Sequence, residues 1–486
     1  MTPDPVSLYD AYAARDPRFD GVFFVGVTST GIYCRPICTA RTPRRSNCRF
    51  FPSAAAAEQA RFRPCLRCRP ELAPGSAPVD RGQRTAAGVA RRIAEGTAGD
   101  GSGLEAIAAE FRLGARQVRR IVRAQLGVAP IQLVLTRRLL LAKQLLTETR
   151  LPVTEIAYAS GFASLRRFND AFRGHYGMPP TRLRRAVAGA ATAGELPAGA
   201  LLELRLAYRP PFDWDALLDF LRERALPGVE QVLAGEYLRT LRLGEHTGWV
   251  RVRPADSGNV LLAELPASLA PVLPGLLAGL RDLFDLDARP DVIAACLSRD
   301  PTLAPLFSRR PGLRVPGAFD GFELAVRAIL GQQVTVRAAT AIAGRVTARF
   351  GEPLVTPHPG LSCLAPTPER LAAAGEAELG ALGVIRARGR SIIALAGEVA
   401  AGRLRLVPGA PVEETVEQLL AIPGVGPWTA QYIAMRALRW PDAFPREDAA
   451  LRRRLGGVSA ARAEHRAHVW QPWRSYATLH LWTGGA

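Results

Sequence analysis

No run of about 18 consecutive apolar residues occurs anywhere in this 486-residue chain, which excludes a membrane-spanning helix. A charged-then-apolar leader is also missing from the N-terminus, so a cytoplasmic protein with no membrane partner is expected. Cysteine is scarce and uneven: five of the seven fall between Cys34 and Cys68, and only Cys296 and Cys363 lie beyond. That distribution argues against a disulfide framework for the whole chain and for a local metal or reactive-thiol site. Acidic residues are in short supply, 44 Asp plus Glu against 63 Lys plus Arg, which leaves a formal net charge of +19 spread along the length. A polyanion is the natural partner, although charge alone does not separate DNA from RNA or an anionic membrane surface.

What is present is the composition of a folded protein, 48% hydrophobic and 22% charged, in a chain too long for a single core. Three or four domains are expected. Ala73-Pro74-Gly75-Ser76-Ala77-Pro78 and the Ala/Gly-rich stretch from Ala186 to Ala200 lack periodicity and bulky apolar residues and read as linkers. The first part, residues 1–75, has a β-like run from Gly21 to Val27 and a turn at Thr30-Gly31, and is too small to be stable without a staple. The second, 80–186, shows helical periodicity twice. Leu104, Ile107, Ala108 and Phe111 precede Gly114 and then Val118, Ile121 and Val122. Val153, Ile156 and Ala157 precede Gly161-Phe162 and then Leu165, Phe168 and Phe172. Each is helix, tight turn, helix, and together they form the one internal repeat. The third part opens with strand-like stretches, Leu201 to Leu206 and Val250 to Arg253, around a helix near Trp214 to Arg224, giving a small α+β unit at 200–285. Residues 286–486 are nearly all helical. The fold class expected is multidomain, mainly α with α+β parts.

Cys34-x3-Cys38, 26 intervening residues and Cys65-x2-Cys68 give two close thiol pairs, the spacing that lets four thiolates close a tetrahedron around zinc. On spacing alone a purely structural zinc knot and a reactive thiolate both remain open. Cys48 lies outside the spacing and reads as a buried small hydrophobe. The flanking residues, Phe24-Val25-Gly26-Val27-Thr28-Ser29-Thr30-Gly31-Ile32-Tyr33-Cys34-Arg35-Pro36-Ile37-Cys38 and Phe62-Arg63-Pro64-Cys65-Leu66-Arg67-Cys68, closely resemble the methyl-acceptor domain of Ada-type proteins, over nearly all of residues 7–72. The resemblance implies that Cys34 is both zinc ligand and acceptor of a methyl group from a DNA methylphosphotriester, in a single irreversible transfer.

In the middle part, Leu104-Glu105-Ala106-Ile107-Ala108 with Arg116-Gln117-Val118-Arg119-Arg120, and Ile156-Ala157-Tyr158-Ala159-Ser160-Gly161-Phe162 with Arg166-Arg167-Phe168-Asn169, resemble the paired helix-turn-helix units of AraC-type regulators. A basic helix after a tight turn enters the major groove, where Arg reads guanine and Asn reads adenine. Arg116, Gln117, Arg166 and Asn169 are the candidate base contacts, each weighed against a solvated or phosphate-contacting face. His175 reads as a structural or phosphate contact.

In the C-terminal part, Leu419-Leu420-Ala421-Ile422-Pro423-Gly424-Val425-Gly426-Pro427-Trp428-Thr429-Ala430 matches a helix-hairpin-helix, in which Gly424 and Gly426 bring bare N–H groups toward a DNA phosphate. Asp448 follows 20 residues beyond Trp428, ahead of the helical stretch Ala449 to Leu455; on its own it would read as a helix cap. Tyr208-Arg209-Pro210-Pro211-Phe212-Asp213-Trp214, Phe322 to Val334 and Pro472-Trp473-Arg474-Ser475-Tyr476-Ala477 resemble AlkA-type 3-methyladenine DNA glycosylases over nearly the whole third part. The resemblance implies Asp448 as the catalytic aspartate, Trp428, Tyr432 and Trp482 as the base pocket, and Gln332 and Gln333 at the DNA, with Gln333 as the wedge that fills the gap left by a flipped nucleotide. Two positions depart from the family: Gln333 replaces an apolar wedge, and Glu447 stands where a second Asp is expected. Trp428 occupies the place of the Schiff-base lysine of related glycosylase/lyases, which implies a monofunctional enzyme. No cysteine follows Cys363, which excludes the iron–sulfur cluster of some relatives, and no Pro-Cys-His-Arg run marks a separate O6-alkylguanine methyltransferase domain.

The reading as a whole is a monomeric alkylation-repair enzyme and regulator with one four-cysteine zinc and no organic cofactor. Its partners are double-stranded DNA, both alkylated and as a promoter operator, and RNA polymerase. The alternatives are an alkylation-responsive transcription factor whose glycosylase half binds DNA without catalysis, and a non-reactive zinc scaffold.

Overall fold

The computed structural model describes residues 5–15, 19–20, 23–51, 54–68, 70, 81–96, 103–188 and 199–484. The Ala73–Pro78 linker, most of the Ala186–Ala200 linker, and Gly21 with Val22 lie outside the described residues. The chain forms two compact units, one of residues 1–90 with 105–130 and one of residues 91–104 with 131–486.

In the first unit, α1 (Pro5–Ala13) precedes a four-stranded sheet of β1 (Phe24–Val27), β2 (Ile32–Cys34), β3 (Cys48–Phe51) and β4 (Arg63–Pro64), ordered β3-β1-β2-β4, with α2 (Ala54–Gln59) between the last two strands. The expected turn closes β1 onto β2: the N–H groups of Thr30 and Gly31 both reach the Val27 carbonyl, and Gly31 takes a positive φ of 63°. Val25, Tyr33, Phe51 and Phe62 are buried, so aromatic packing supplies much of this small core. The long helix α3 (Arg81–Ala94) leads to α4 (Gly103–Glu110) and α5 (Ala115–Leu126). Arg112, with φ 53°, takes the left-handed position in the α4–α5 turn, and Gly114 caps α5.

In the second unit, α6 (Pro130–Glu148) leads to α7 (Val153–Ala159), α8 (Leu165–Tyr176) and α9 (Pro180–Ala188). Here glycine itself makes the turn, Gly161 at φ 85°, a conformation free of steric cost only without a Cβ. A five-stranded antiparallel sheet follows, built from β5 (Leu201–Ala207), β6 (Glu230–Leu233), β7 (Glu236–Leu243), β8 (His246–Pro254) and β9 (Val260–Pro266) in the order β5-β9-β8-β7-β6, with α10 (Trp214–Arg224) after β5. Along β5, Leu202, Leu204 and Leu206 point inward and their neighbours outward, the period-two pattern of a sheet with one face covered. Those leucines share one core with Leu145, Ile156, Phe168 and Phe172 of α6 to α8. The Glu148 carboxylate also accepts the Arg205 N–H at 2.9 Å, tying α6 to β5.

The remaining helices are α11 (Leu273–Leu283), α12 (Pro290–Leu297), α13 (Ala304–Arg309), α14 (Gly321–Leu330), α15 (Val336–Phe350), α16 (Pro368–Ala372), α17 (Glu376–Ala381), α18 (Arg386–Ala400), α19 (Val412–Leu420), α20 (Pro427–Arg436), α21 (Ala449–Arg454), α22 (Ala460–Ala467) and α23 (Arg474–Thr483). One core gathers α14, α15 and α18 with the first residues of α20, and a second gathers α12, α13, α21 and α23. Among the described residues no helix is long and apolar enough to cross a membrane.

Candidate functional site

Strand pairing assembles the cysteine cluster. β2 ends at Cys34, β4 runs parallel beside it, and the Cys65 N–H reaches the Tyr33 carbonyl at 3.1 Å, so the two thiol pairs meet at one end of the sheet. The Sγ atoms of Cys34, Cys38, Cys65 and Cys68 all lie within 4.8 Å of one another, and all four residues are buried. Zinc–sulfur bonds of ~2.3 Å imply sulfur–sulfur edges of ~3.8 Å in a tetrahedron, and Cys38 Sγ lies 3.9 Å from Cys65 Sγ. The donor set and its spacing fit zinc. Hydrogen bonds among the four thiols hold Cys38 below the ordinary thiol range and push Cys34 above it, so the negative charge of the cluster is shared unevenly. Arg35 is buried beside the cluster, its N–H directed at Cys68 Sγ (3.4 Å) and its Nε at Asp20 Oδ1 (2.7 Å). That buried ion pair anchors the Cys34–Cys38 loop and carried no pattern in the sequence. Cys48 is half-buried rather than buried, sits on β3 opposite Val27, and stands apart from the four.

The two basic helices present their polar faces outward. On α5, Val118 and Val122 are buried while Arg116 and Gln117 are exposed. On α8, Phe168 and Phe172 are buried, Arg166 is exposed and Asn169 is half-buried. Ser164 caps α8 by accepting the Arg167 N–H at 3.2 Å. His175 is exposed and packs edge-on against Tyr176.

The third constellation centres on Asp448. As the cap of α21, its Oδ1 accepts the Leu451 N–H at 2.7 Å, but capping does not account for the rest. The indole N–H of Trp428 donates to Oδ2 at 2.8 Å, and that of Trp482 to Oδ1 at 3.1 Å. Three donors from three elements therefore fix one half-buried carboxylate. Tyr432, one turn after Trp428 on α20, lies parallel to it, with ring centroids 5.2 Å apart at 9°, and Trp482 stands 6.3 Å from Tyr432 at 45°. The result is an aromatic recess with a carboxylate at its edge. Burial alone would raise the Tyr432 phenol, but the guanidiniums of Arg436, Arg224 and Arg327 outweigh it and hold the phenol below its ordinary range.

The hairpin Ala421–Gly426 between α19 and α20 holds the same helix at its start. Gly424 has φ 84°, and a Cβ there would lie 2.4 Å from Ser391 Oγ, which itself donates to the Pro423 carbonyl at 2.6 Å. Gly426 has open space around it. The N–H groups of both glycines find no acceptor among the described residues, so they are available to an anion at the N-terminus of α20. The structure separates the two glutamines. Gln332 turns back to the hairpin, donating to the Gly424 carbonyl and to Thr429 Oγ1, each at 3.0 Å, while its own carbonyl accepts from Arg388. Gln333 is exposed at φ 52°. Ser391, Thr429 and Arg388, which brace the hairpin, escaped the sequence reading because none carries a spacing signal.

Residues 7–71 match the metal binding domain of Ada, 107–186 a helix-turn-helix domain, 203–320 the AlkA N-terminal domain, and 326–474 the HhH-GPD superfamily of base excision DNA repair proteins. A probable bifunctional transcriptional activator/DNA repair enzyme AlkA of Mycobacterium tuberculosis is 42% identical over 99% of this chain and 97% of its own length. The chain belongs to this AlkA family of bifunctional transcriptional activator/DNA repair enzymes. Within the family's C-terminal half, DNA-3-methyladenine glycosylase 2 of Escherichia coli is 40% identical over 57% of this chain and 95% of its own length. A 3-methyladenine DNA-glycosylase structure from Archaeoglobus fulgidus, at 22% identity, has the same fold, with a TM-score of 0.50 over 57% of this chain and 96% of that one. The four matched regions follow one another in the order in which the cysteine cluster, the two basic helices, the five-stranded sheet and the Asp448 recess occur.

Proposed function

We propose that the protein repairs alkylated DNA by two chemistries and regulates the response to that damage. The observation that carries the repair reading is the convergence of two indole N–H donors and a stacked phenol on Asp448, which a helix cap alone does not require. A purine alkylated at N3 or N7 is cationic, so its glycosidic bond breaks with the electron pair passing to an already activated base. Electron-rich faces of Trp428, Tyr432 and Trp482 hold that cation. The Asp448 carboxylate stabilises the positive sugar centre as the base leaves, and water then adds to C1′. With Trp428 in place of an amine nucleophile the reaction ends at the abasic site. Gly424 and Gly426 bind the backbone phosphate, Gln333 enters the space of the flipped nucleotide, and Gln332 keeps the hairpin in place.

At the N-terminal cluster, one zinc held by Cys34, Cys38, Cys65 and Cys68 keeps the sulfurs deprotonated at neutral pH. The Cys34 sulfur forms a bond to the methyl carbon of a methylphosphotriester, the carbon–oxygen bond breaks, and the phosphodiester leaves with the electron pair. No iron–sulfur cluster or organic cofactor takes part. Arg116, Gln117, Arg166 and Asn169 read the bases of a promoter operator, and the monomer acts on RNA polymerase in the cytoplasm. The chain divides for these tasks at residues 1–75, 80–186, 200–285 and 286–486. The test of the repair reading is base release from methylated DNA by the wild type and by Asp448→Asn. Release that depends on Asp448 supports it, and equal release by both proteins refutes it.

A further inference from the structure

Arg436 lies one helical turn beyond Tyr432 on α20 and is only 5% exposed. Each of its three nitrogens donates: Nε reaches the Pro316 carbonyl at 2.9 Å, Nη2 the Gly317 carbonyl at 2.9 Å, and Nη1 the Tyr432 phenol oxygen at 2.8 Å. Among the described residues it has no carboxylate partner. Burying a guanidinium without a counterion is costly, and an apolar side chain would fill the same space without that cost. What an apolar side chain cannot do is tether the far end of the Tyr432 ring. The two carbonyls hold the planar fork rigid, and the third donor then fixes the phenol oxygen, so that the ring is pinned at its backbone, at its oxygen and by the face of Trp428.

We infer that Arg436 is a positioning residue of the base pocket, holding Tyr432 parallel to Trp428 through the phenol oxygen. This rests on the base-excision reading of the Asp448 recess. Arg436 acts on the damaged base only through Tyr432, and the tether sets the angle of the aromatic wall against which the base stacks.

The test is a double-variant cycle in the full-length zinc-loaded protein, read as kcat and KM for base release from methylated DNA and as inhibition by free 3-methyladenine. Tyr432→Phe keeps the ring and removes the acceptor. It is expected to lower kcat/KM about tenfold, the scale of one lost hydrogen bond to a charged group, and to weaken inhibition by the free base to a similar extent. Arg436→Met should reproduce both effects, Arg436→Lys should restore part of each, and Tyr432→Phe with Arg436→Met should fall within about twofold of either single change. Multiplicative losses in the double variant would overturn the inference. So would wild-type kinetics for Tyr432→Phe, whether or not the Arg436 variants fold. Asp448→Asn runs alongside: if it matches the wild type the excision reading fails and the inference with it, whereas Asp448-dependent release with multiplicative losses removes the inference alone.

Discussion

Asp448 stands where an aspartate would ordinarily do no more than cap a helix, and its Oδ1 does accept the Leu451 N–H. The indoles of Trp428 and Trp482 make it something further, a carboxylate aimed by three donors beside an aromatic recess. Asp448→Asn retains an oxygen for the cap and loses the charge, so the fold and binding to alkylated DNA should persist while base release falls by about 10²- to 10³-fold, the range lost when a transition-state charge is left without its partner. Single-turnover release of bases measures this, and unchanged release contradicts it. His480, on the helix that carries Trp482, stacks on Phe307 at 3.7 Å and is 2% exposed, and burial pushes its imidazole down to about 4 from 6.5. The unfolded chain therefore binds the extra proton between these values, and this contribution to stability is intact above pH 6.5 and declines as pH falls toward 4. The full loss, reached only below about pH 4, is roughly 3–4 kcal/mol. Hydrogen exchange of α23, corrected for the intrinsic rate, should quicken between pH 7 and 5 in the wild type and not in His480→Gln; the same acceleration in both would rule out His480 as the cause.

The elements around these residues differ in how well the sequence announces them. Helix-turn-helix periodicity located α4, α5, α7 and α8 because buried apolar residues recur every three to four positions there. The hairpin was legible because Gly424-Val425-Gly426 interrupts two such runs. Strands β7 and β9 escape the sequence reading because they are buried on both faces and lack alternation, and β6 because it is a short, half-buried edge strand. The four clustered cysteines follow from their spacing, and Asp448 from the resemblance. Arg35, Ser391, Thr429, Arg388 and Arg436 did not, because each acts through a contact between residues distant in sequence or through one backbone carbonyl. The hairpin also yields a paired expectation. Gly424→Ala forces a Cβ into Ser391 at a positive φ and should destabilise the C-terminal helices by about 1–3 kcal/mol. Gly426→Ala meets open space and should leave stability unchanged while weakening DNA binding. Thermal unfolding and DNA titration separate the two, and equal stability losses would contradict this account of the turn.

For the whole molecule, the surplus of +19 charges suits a polyanion, the matched helix-turn-helix and base-excision repair domains make that polyanion DNA, and salt is the expected antagonist. In the proposed chemistry the four-thiolate zinc site is anionic, and methylation of Cys34 would remove one unit of negative charge. For charges ~8 Å apart at an effective dielectric of ~20 to 80, the relief is roughly 0.5 to 2 kcal/mol per phosphate before screening. Methylated protein should therefore bind a promoter fragment more tightly than unmethylated protein at low salt, with the gap closing as salt rises; equal affinities at low salt would leave Cys34 as a repair acceptor alone. The central claim, that one chain carries both repair chemistries, is tested most directly by incubating the purified protein with methylated double-stranded DNA, then taking the mass of the protein and chromatographing the released bases from the same sample. The account predicts one added methyl group, mapping to Cys34 and lost in Cys34→Ala, together with free 3-methyladenine that disappears in Asp448→Asn; an unmodified Cys34 or release of the base independent of Asp448 would contradict it.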